Sequence, residues 1–181
     1  MQTTPQTAPL TNAPKNIYLI GFMGTGKSTI AACLRQKYGM EQLEMDEEIA
    51  KGEGITIAEI FAQKGEEYFR ELETGLLRRL SERENVVVSC GGGTAMRECN
   101  VKEMKRRGRI VLLLAEPETV YERVRTSHDR PLLEGNMNVD YIKSLIEARM
   151  PKYREAADIT VHTDGRSAED ICGEIMKKLK F

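Results

Sequence analysis

The segment Ile17 to Tyr38, IYLIGFMGTGKSTIAACLRQKY, constrains the fold more than any other part of the chain. A short apolar run, Ile17 to Ile20, meets Gly21-Phe22-Met23-Gly24-Thr25-Gly26-Lys27-Ser28, and a helical pattern follows from Lys27 to Tyr38. These residues fit G-x-x-x-x-G-K-[ST], with the strand before and the helix after that the motif needs. Its glycines let successive backbone N–H groups turn inward on phosphate oxygens, and the helix N-terminus adds positive potential. Gly24, Thr25, Gly26, Lys27, Ser28 and Thr29 are therefore candidate nucleotide contacts. Lys27 would reach the β and γ oxygens, and Ser28 would offer an oxygen to Mg²⁺. The plain alternative is a glycine-rich strand-to-helix turn with an exposed lysine.

The same alternation continues down the chain. Apolar runs at 42–45, 86–89, 110–114 and 158–161 separate helical patterns at about 56–83, 97–107, 118–125, 139–153 and 168–179. Strands apolar on both faces belong inside parallel sheets. With right-handed crossovers they give a three-layer α/β domain with helices on both sides of the sheet. In AEPETV, Pro117 and its neighbouring acids suit a helix start. A length of 181 residues with 40% hydrophobic content suits one domain. Residues 1–15 hold Pro5, Pro9 and Pro14 among Thr and Gln and cannot bury enough apolar surface to offset their ordering entropy. They read as a disordered tail or linker, leaving 16–181 as the domain.

Composition removes several function classes. A net charge of −1 and a pI near 6.2 give no global footprint for nucleic acid or an anionic membrane. No apolar run approaches the ~18 residues of a membrane span. The N-terminal stretch lacks a basic segment followed by an apolar core, so no signal peptide is read and a cytoplasmic location is expected. Cys33, Cys90, Cys99 and Cys172 show neither CxxC nor zinc-type spacing and read as free thiols, mostly buried. There is no N-K-x-D for guanine and no L-S-G-G-Q of transport ATPases.

The phosphate acceptor is then either water or a small molecule, and the choice rests on residues outside the loop. Arg70, Arg125, Arg130 and Arg149 recur at helix edges and loops, and guanidinium forks suit carboxylates and phosphates. The strand VVVSCGGG ends in glycines rather than an acid, so the nearest metal carboxylates are Glu44 and Asp46 at the end of the second strand. Thr126 to Asn138, TSHDRPLLEGNMN, reads as a mobile lid, because Pro131, Gly135, Asn136 and Asn138 break helical periodicity between two helices.

From about Asn16 to its C-terminus the chain resembles the shikimate kinases. The likeness rests on the phosphate loop, Met45-Asp46, FRELE at Phe69 to Glu73, Gly91 to Gly93, RPLL at Arg130 to Leu133, and RMPKYREAAD from Arg149 to Asp158, in that order. It implies ATP-dependent phosphorylation of the 3-hydroxyl of shikimate, a step towards chorismate and the aromatic amino acids. It also implies a three-layer P-loop kinase fold with a central five-stranded parallel sheet flanked by helices, plus a mobile lid at about 126–138. ATP and Mg²⁺ are the implied cofactors, shikimate the small-molecule partner, and a monomer the implied assembly.

Position by position, the resemblance assigns Asp46 to the substrate hydroxyls, Arg70 and Arg149 to the substrate carboxylate, and the Gly91, Gly92 and Gly93 backbone to the ring. Glu73 would orient an arginine. Arg130 would close with the lid onto the phosphates, which makes Lys27, Asp46 and Arg130 the expected catalytic set. Arg125 would pack on adenine, and Arg166 in TDGRSAED would belong to the adenine-contacting loop. One departure stands out: Glu44-Met45-Asp46 replaces the family's D-x-D, whose first acid contacts Mg²⁺ through water. Glu keeps the charge and adds a methylene, so a slightly displaced metal role is expected for Glu44 beside Ser28. The rivals are a gluconate or nucleoside monophosphate kinase and an idle nucleotide-binding module. The paired arginines argue against the first two, and the intact Lys27, Asp46 and arginines argue against the third.

Overall fold

In a computed structural model, which describes residues 16–125 and 138–180, five parallel strands form one sheet in the order β2-β3-β1-β4-β5. The strands are β1 (Asn16–Ile20), β2 (Glu41–Glu44), β3 (Val86–Ser89), β4 (Gly108–Leu114) and β5 (Ile159–His162). The helices are α1 (Lys27–Tyr38), α2 (Met45–Glu53), α3 (Ile57–Leu80), α4 (Glu98–Arg107), α5 (Pro117–Val124), α6 (Val139–Ala156) and α7 (Ala168–Leu179).

The pleat sorts β1 between two cores. Ile17 and Leu19 pack with Ile30 and Leu34 of α1 and Ile171 and Ile175 of α7. Tyr18 and Ile20 face the opposite layer, with Leu77 of α3, Met104 of α4 and Tyr153 of α6. Both faces are covered, as the unbroken apolar runs require. A smaller cluster of Phe22, Val120, Val124, Ile142 and Ile146 fastens α5 and α6 beside the phosphate loop.

Two local features depart from the sequence reading. The second strand ends at Glu44 instead of running to Met45, because Glu44 is already the N-cap of α2, a helix missing from the periodicity. The long helix is kinked at Gly65, where φ 83° and ψ 169° are open to glycine alone, so α3 is two helical pieces meeting at an angle. Asn138, the last residue of the expected lid, is the N-cap of α6: its side chain accepts the Tyr141 N–H. The rest of the expected lid, 126–137 with Arg130, lies outside the described residues, as does the expected tail 1–15. The four cysteines are free, two buried, one half-buried and one exposed. No described helix is long and apolar enough to cross a membrane.

Candidate active site

The phosphate loop, Glu44, Asp46 and the glycine run gather at the carboxyl ends of β1, β2 and β3, the crevice where open α/β sheets place their ligands. The loop after β1 begins α1 at Gly26, whose φ of 96° lets the chain turn into the helix with its N–H groups facing out. Thr25 is buried and donates its hydroxyl to the Phe22 carbonyl at 2.8 Å, closing the loop on itself. The Lys27 ammonium donates to the carbonyls of Gly21 at 2.9 Å and Phe22 at 3.0 Å, so it arches over the loop where phosphates would lie. Ser28 donates to Glu44 Oε2 at 2.8 Å, and its hydroxyl is 3.3 Å from that of Ser89. The extra methylene of Glu44 therefore does not carry its carboxylate away from Ser28.

Ser89 escaped the sequence reading. It is the last residue of β3, paired in register with Glu44 on one side and Leu19 on the other. Only the order β2-β3-β1 brings residues 28, 44 and 89 together. The signal available beforehand was a hydroxyl at the strand end where an acid was missing.

Beyond β3 the chain runs through Gly91, Gly92 and Gly93, and here the absence of side chains is used three times over. A Cβ on Gly91 would stand 3.1 Å from Asp46 Oδ1 and 3.1 Å from Glu73 Oε1. On Gly92 it would stand 3.1 Å from Arg149 Nη1, and on Gly93 2.6 Å from both terminal nitrogens of Arg70. The glycine run is thus the floor on which α2, α3 and α6 set one acid and two guanidiniums. Arg70 is held by Glu73 at 2.8 Å and Glu66 at 3.1 Å. Glu73 is fully buried and receives the Thr94 hydroxyl at 2.6 Å, so its charge is satisfied on both oxygens. It orients an arginine as expected. Arg149 lies over the Phe22 ring, 5.7 Å from its centroid, which places it beside the phosphate loop.

Asp46, in the first turn of α2, is open to the cleft but crowded by protein. That crowding pushes its carboxyl above the ordinary value, and the neighbouring Glu73 charge adds to the rise. Lys27 and Arg70 pull the other way, and Glu44 again raises it. A carboxylate with a raised pKa is a better proton acceptor, the property a general base needs. Cys90 adjoins this cluster, but burial pushes its thiol far up and keeps it protonated.

On the other side of the phosphate loop a cavity of about 220 Å³ is lined by Thr25, Gly26, Thr29, Arg123, Thr163 and Arg166, among others. Arg166 donates to the His162 carbonyl at 3.0 Å and pairs with Glu174 at 2.6 Å. Arg125 is not in that wall: it is exposed and pairs with Glu122 at 2.9 Å. Arg123, two residues earlier, lines the cavity instead and donates to the Gly24 carbonyl at 2.9 Å. Sequence spacing alone could not choose between two arginines two residues apart.

The geometry is a phosphate cradle facing an acid and a pair of guanidiniums. The family model described as Shikimate kinase matches residues 23–180. The chain belongs to the shikimate kinase family. A shikimate kinase from Persephonella marina is 42% identical over 166 residues, covering 92% of this chain and 99% of that protein. The solved shikimate kinase of Acinetobacter baumannii, in complex with shikimate, superposes with a TM-score of 0.83 at 36% identity, covering 90% of this chain and 91% of that one. The Aquifex aeolicus shikimate kinase gives 0.77 at 42% identity, over 91% of this chain and 96% of that one. The expected kinase fold and five-stranded sheet are those of these relatives. As a shikimate kinase, the chain phosphorylates shikimate with ATP as the phosphate donor.

Proposed function

We propose that the γ-phosphoryl group passes to the 3-hydroxyl of shikimate, with the substrate carboxylate gripped by Arg70 and Arg149 and the hydroxyl at Asp46. The supporting observation is the glycine floor, against which Asp46, Arg70 and Arg149 converge from three different helices. Two guanidiniums fix a carboxylate like a handle, and orientation of this kind removes much of the entropic barrier to reaction. Asp46 then accepts the hydroxyl proton, while Lys27 leaves its two carbonyls and neutralises charge on the β and γ phosphates. Arg130 would arrive with the lid and exclude water. Arg123 and Arg166 frame the base end of the nucleotide, with Arg125 at its rim.

Ser28, Glu44 and Ser89 form an all-oxygen donor set of the kind a hard divalent cation prefers. Ser28 would ligate Mg²⁺ and Glu44 would hold one of its waters; the ion supplies charge neutralisation between the phosphates. The reading carries with it a cytoplasmic monomer whose catalytic unit is 16–181, so a truncation starting at Lys15 should keep both melting temperature and activity. The central test is ADP release with and without shikimate and Mg²⁺. Release that depends on both is expected, and ATP turnover indifferent to shikimate would overturn the assignment.

A further inference from the structure

Arg149 and Tyr153 lie four residues apart on α6, so their side chains rise on one face of the helix. Tyr153 is 1% exposed, yet its hydroxyl is not a stray polar atom: it donates to the Gly92 carbonyl at 2.6 Å. A phenol has one proton, and here it is committed to that carbonyl. The oxygen's lone pairs remain for a donor, and the Arg149 guanidinium is set close by: Arg149 Nη1 and the Tyr153 hydroxyl stand 3.1 and 3.8 Å from the same Gly92 Cβ position, and the Arg149 charge draws the phenol pKa down against burial. The Tyr153 hydroxyl thus lies between a nearby cation and the Gly92 carbonyl it donates to, and positive charge beside a donor strengthens its bond. Burial raises the Tyr153 pKa, so the hydroxyl keeps its proton throughout the neutral range.

We propose that the Tyr153 hydroxyl is a positioning group that sets the spacing between the Arg149 guanidinium and the Gly92–Gly93 backbone, and through it the affinity for shikimate. The inference rests on the reading of Arg149 and the glycine run as substrate contacts. Its physical content lies in the peptide plane. Gly92 C=O and Gly93 N–H belong to one planar trans unit, so anchoring the carbonyl towards α6 aims the N–H the opposite way. The turn's backbone bonds, Thr94 N–H to the Gly91 carbonyl and Met96 N–H to the Gly93 carbonyl, hold the two flanking peptide planes, and the Tyr153 hydroxyl holds the one between them. The tight approach of Arg149 Nη1, 3.1 Å from where a Gly92 Cβ would be, shows how closely the two elements are set. The helix that carries Arg149 and the loop after β3 are far apart in sequence, and the buried Tyr153 hydroxyl ties one to the other.

The test is Tyr153→Phe, which removes one oxygen and keeps the ring, measured beside the unaltered protein. KM for shikimate should rise about tenfold, the size of one hydrogen bond to a charged group, while KM for ATP stays within about twofold. Combined with Arg149→Lys, KM should rise by less than the product of the two single increases, because both changes act on the same contact between α6 and Gly92. A merely structural tyrosine would lower the melting temperature without this split. An unchanged KM for shikimate, equal rises for both substrates, or fully multiplicative effects would overturn the proposal. Should the phenylalanine variant fail to fold, site-specific 3-fluorotyrosine at 153 keeps shape and weakens the acceptor; a KM for shikimate that does not move would then be decisive against it. Unaltered protein lacking shikimate-dependent ADP release would sink the site reading and this inference together, whereas normal release with an indifferent variant sinks only the role of Tyr153.

Discussion

Replacing Gly93 with alanine tests the carboxylate grip with one methyl group. Gly93 sits at φ −96° and ψ −8°, a backbone that alanine adopts without strain, so the effect comes from what the new Cβ meets. It would lie 2.6 Å from both terminal nitrogens of Arg70 and 2.8 Å from Cζ, far inside van der Waals contact. The guanidinium is the end of a flexible side chain and must give way. In doing so it stretches its 2.8 Å bond to Glu73, which is fully buried, and leaves the place from which it would meet the substrate. A hydrogen bond to a charged group contributes about 1.5–3 kcal/mol, so losing the Arg70 contact should raise KM for shikimate about 10- to 100-fold. Removing one partner of a buried pair costs ~3–5 kcal/mol, but here Arg70 is displaced rather than deleted. Thr94 still bonds Glu73 at 2.6 Å, and Glu66 still draws Arg70. A stability loss of about 1–2 kcal/mol follows, or roughly 2–8 °C in melting temperature for a chain of this size. Steady-state kinetics with each substrate varied, together with a thermal melt, measure both. A KM for shikimate within about twofold of the unaltered protein, with an unchanged melt, would refute the placement of Arg70 as the substrate's handle.

Other outcomes follow from the same geometry. Lys27→Met should lower kcat by about 10²–10³-fold while the protein stays folded, since one preorganised charge on the transferring group is lost; near-normal turnover would contradict its role. Asp46→Asn should nearly abolish turnover and, at neutral pH, raise the melting temperature. The sign comes from linkage: Asp46 titrates higher folded than unfolded, so stability falls as pH climbs through its raised value, and the neutral amide removes that cost. With Asp46 as the base, kcat/KM should likewise fall on the acid side at a pH higher than an unperturbed aspartate would give, and an acid limb identical in the Asn variant's residual activity would reassign the base. Arg149→Lys should mainly raise KM for shikimate, because a point charge cannot reproduce the fork, while Arg130→Ala should mainly lower kcat, by about 10³-fold; calorimetry of shikimate binding to both variants checks the division. Gly173→Ala, in the interior of α7 with open space at its Cβ, should stabilise the protein by about 0.4–1 kcal/mol, read from a denaturant titration.

Local chemistry determined by itself most of the elements, α2 and the kink in α3 excepted. α1 runs over the residues its pattern marked because a left-handed Gly26 opens it and a left-handed Gly39 closes it, and α7 starts where Ser167 caps it. The strands were legible as runs apolar on both faces, and the phosphate loop as a motif whose function resides in its own backbone. Asp46, Arg70 and Arg149 were legible only as residue types in a resembling order. That they share a floor was decided by tertiary structure, since Gly91 to Gly93 meet side chains from α2, α3 and α6 only after the sheet has assembled. The same holds for Ser89, which reaches Ser28 because β3 inserts between β2 and β1, and for Arg123, which lines the cavity beside the phosphate loop once α5 packs with Phe22. The kink at Gly65 was hidden because a lone glycine within a helical pattern is compatible with a straight helix. The physical reason is range: caps, turns and hydrophobic period act within one or two turns of chain, whereas the convergence of charges at a site is settled by strand order and helix packing, which no local stretch of sequence contains.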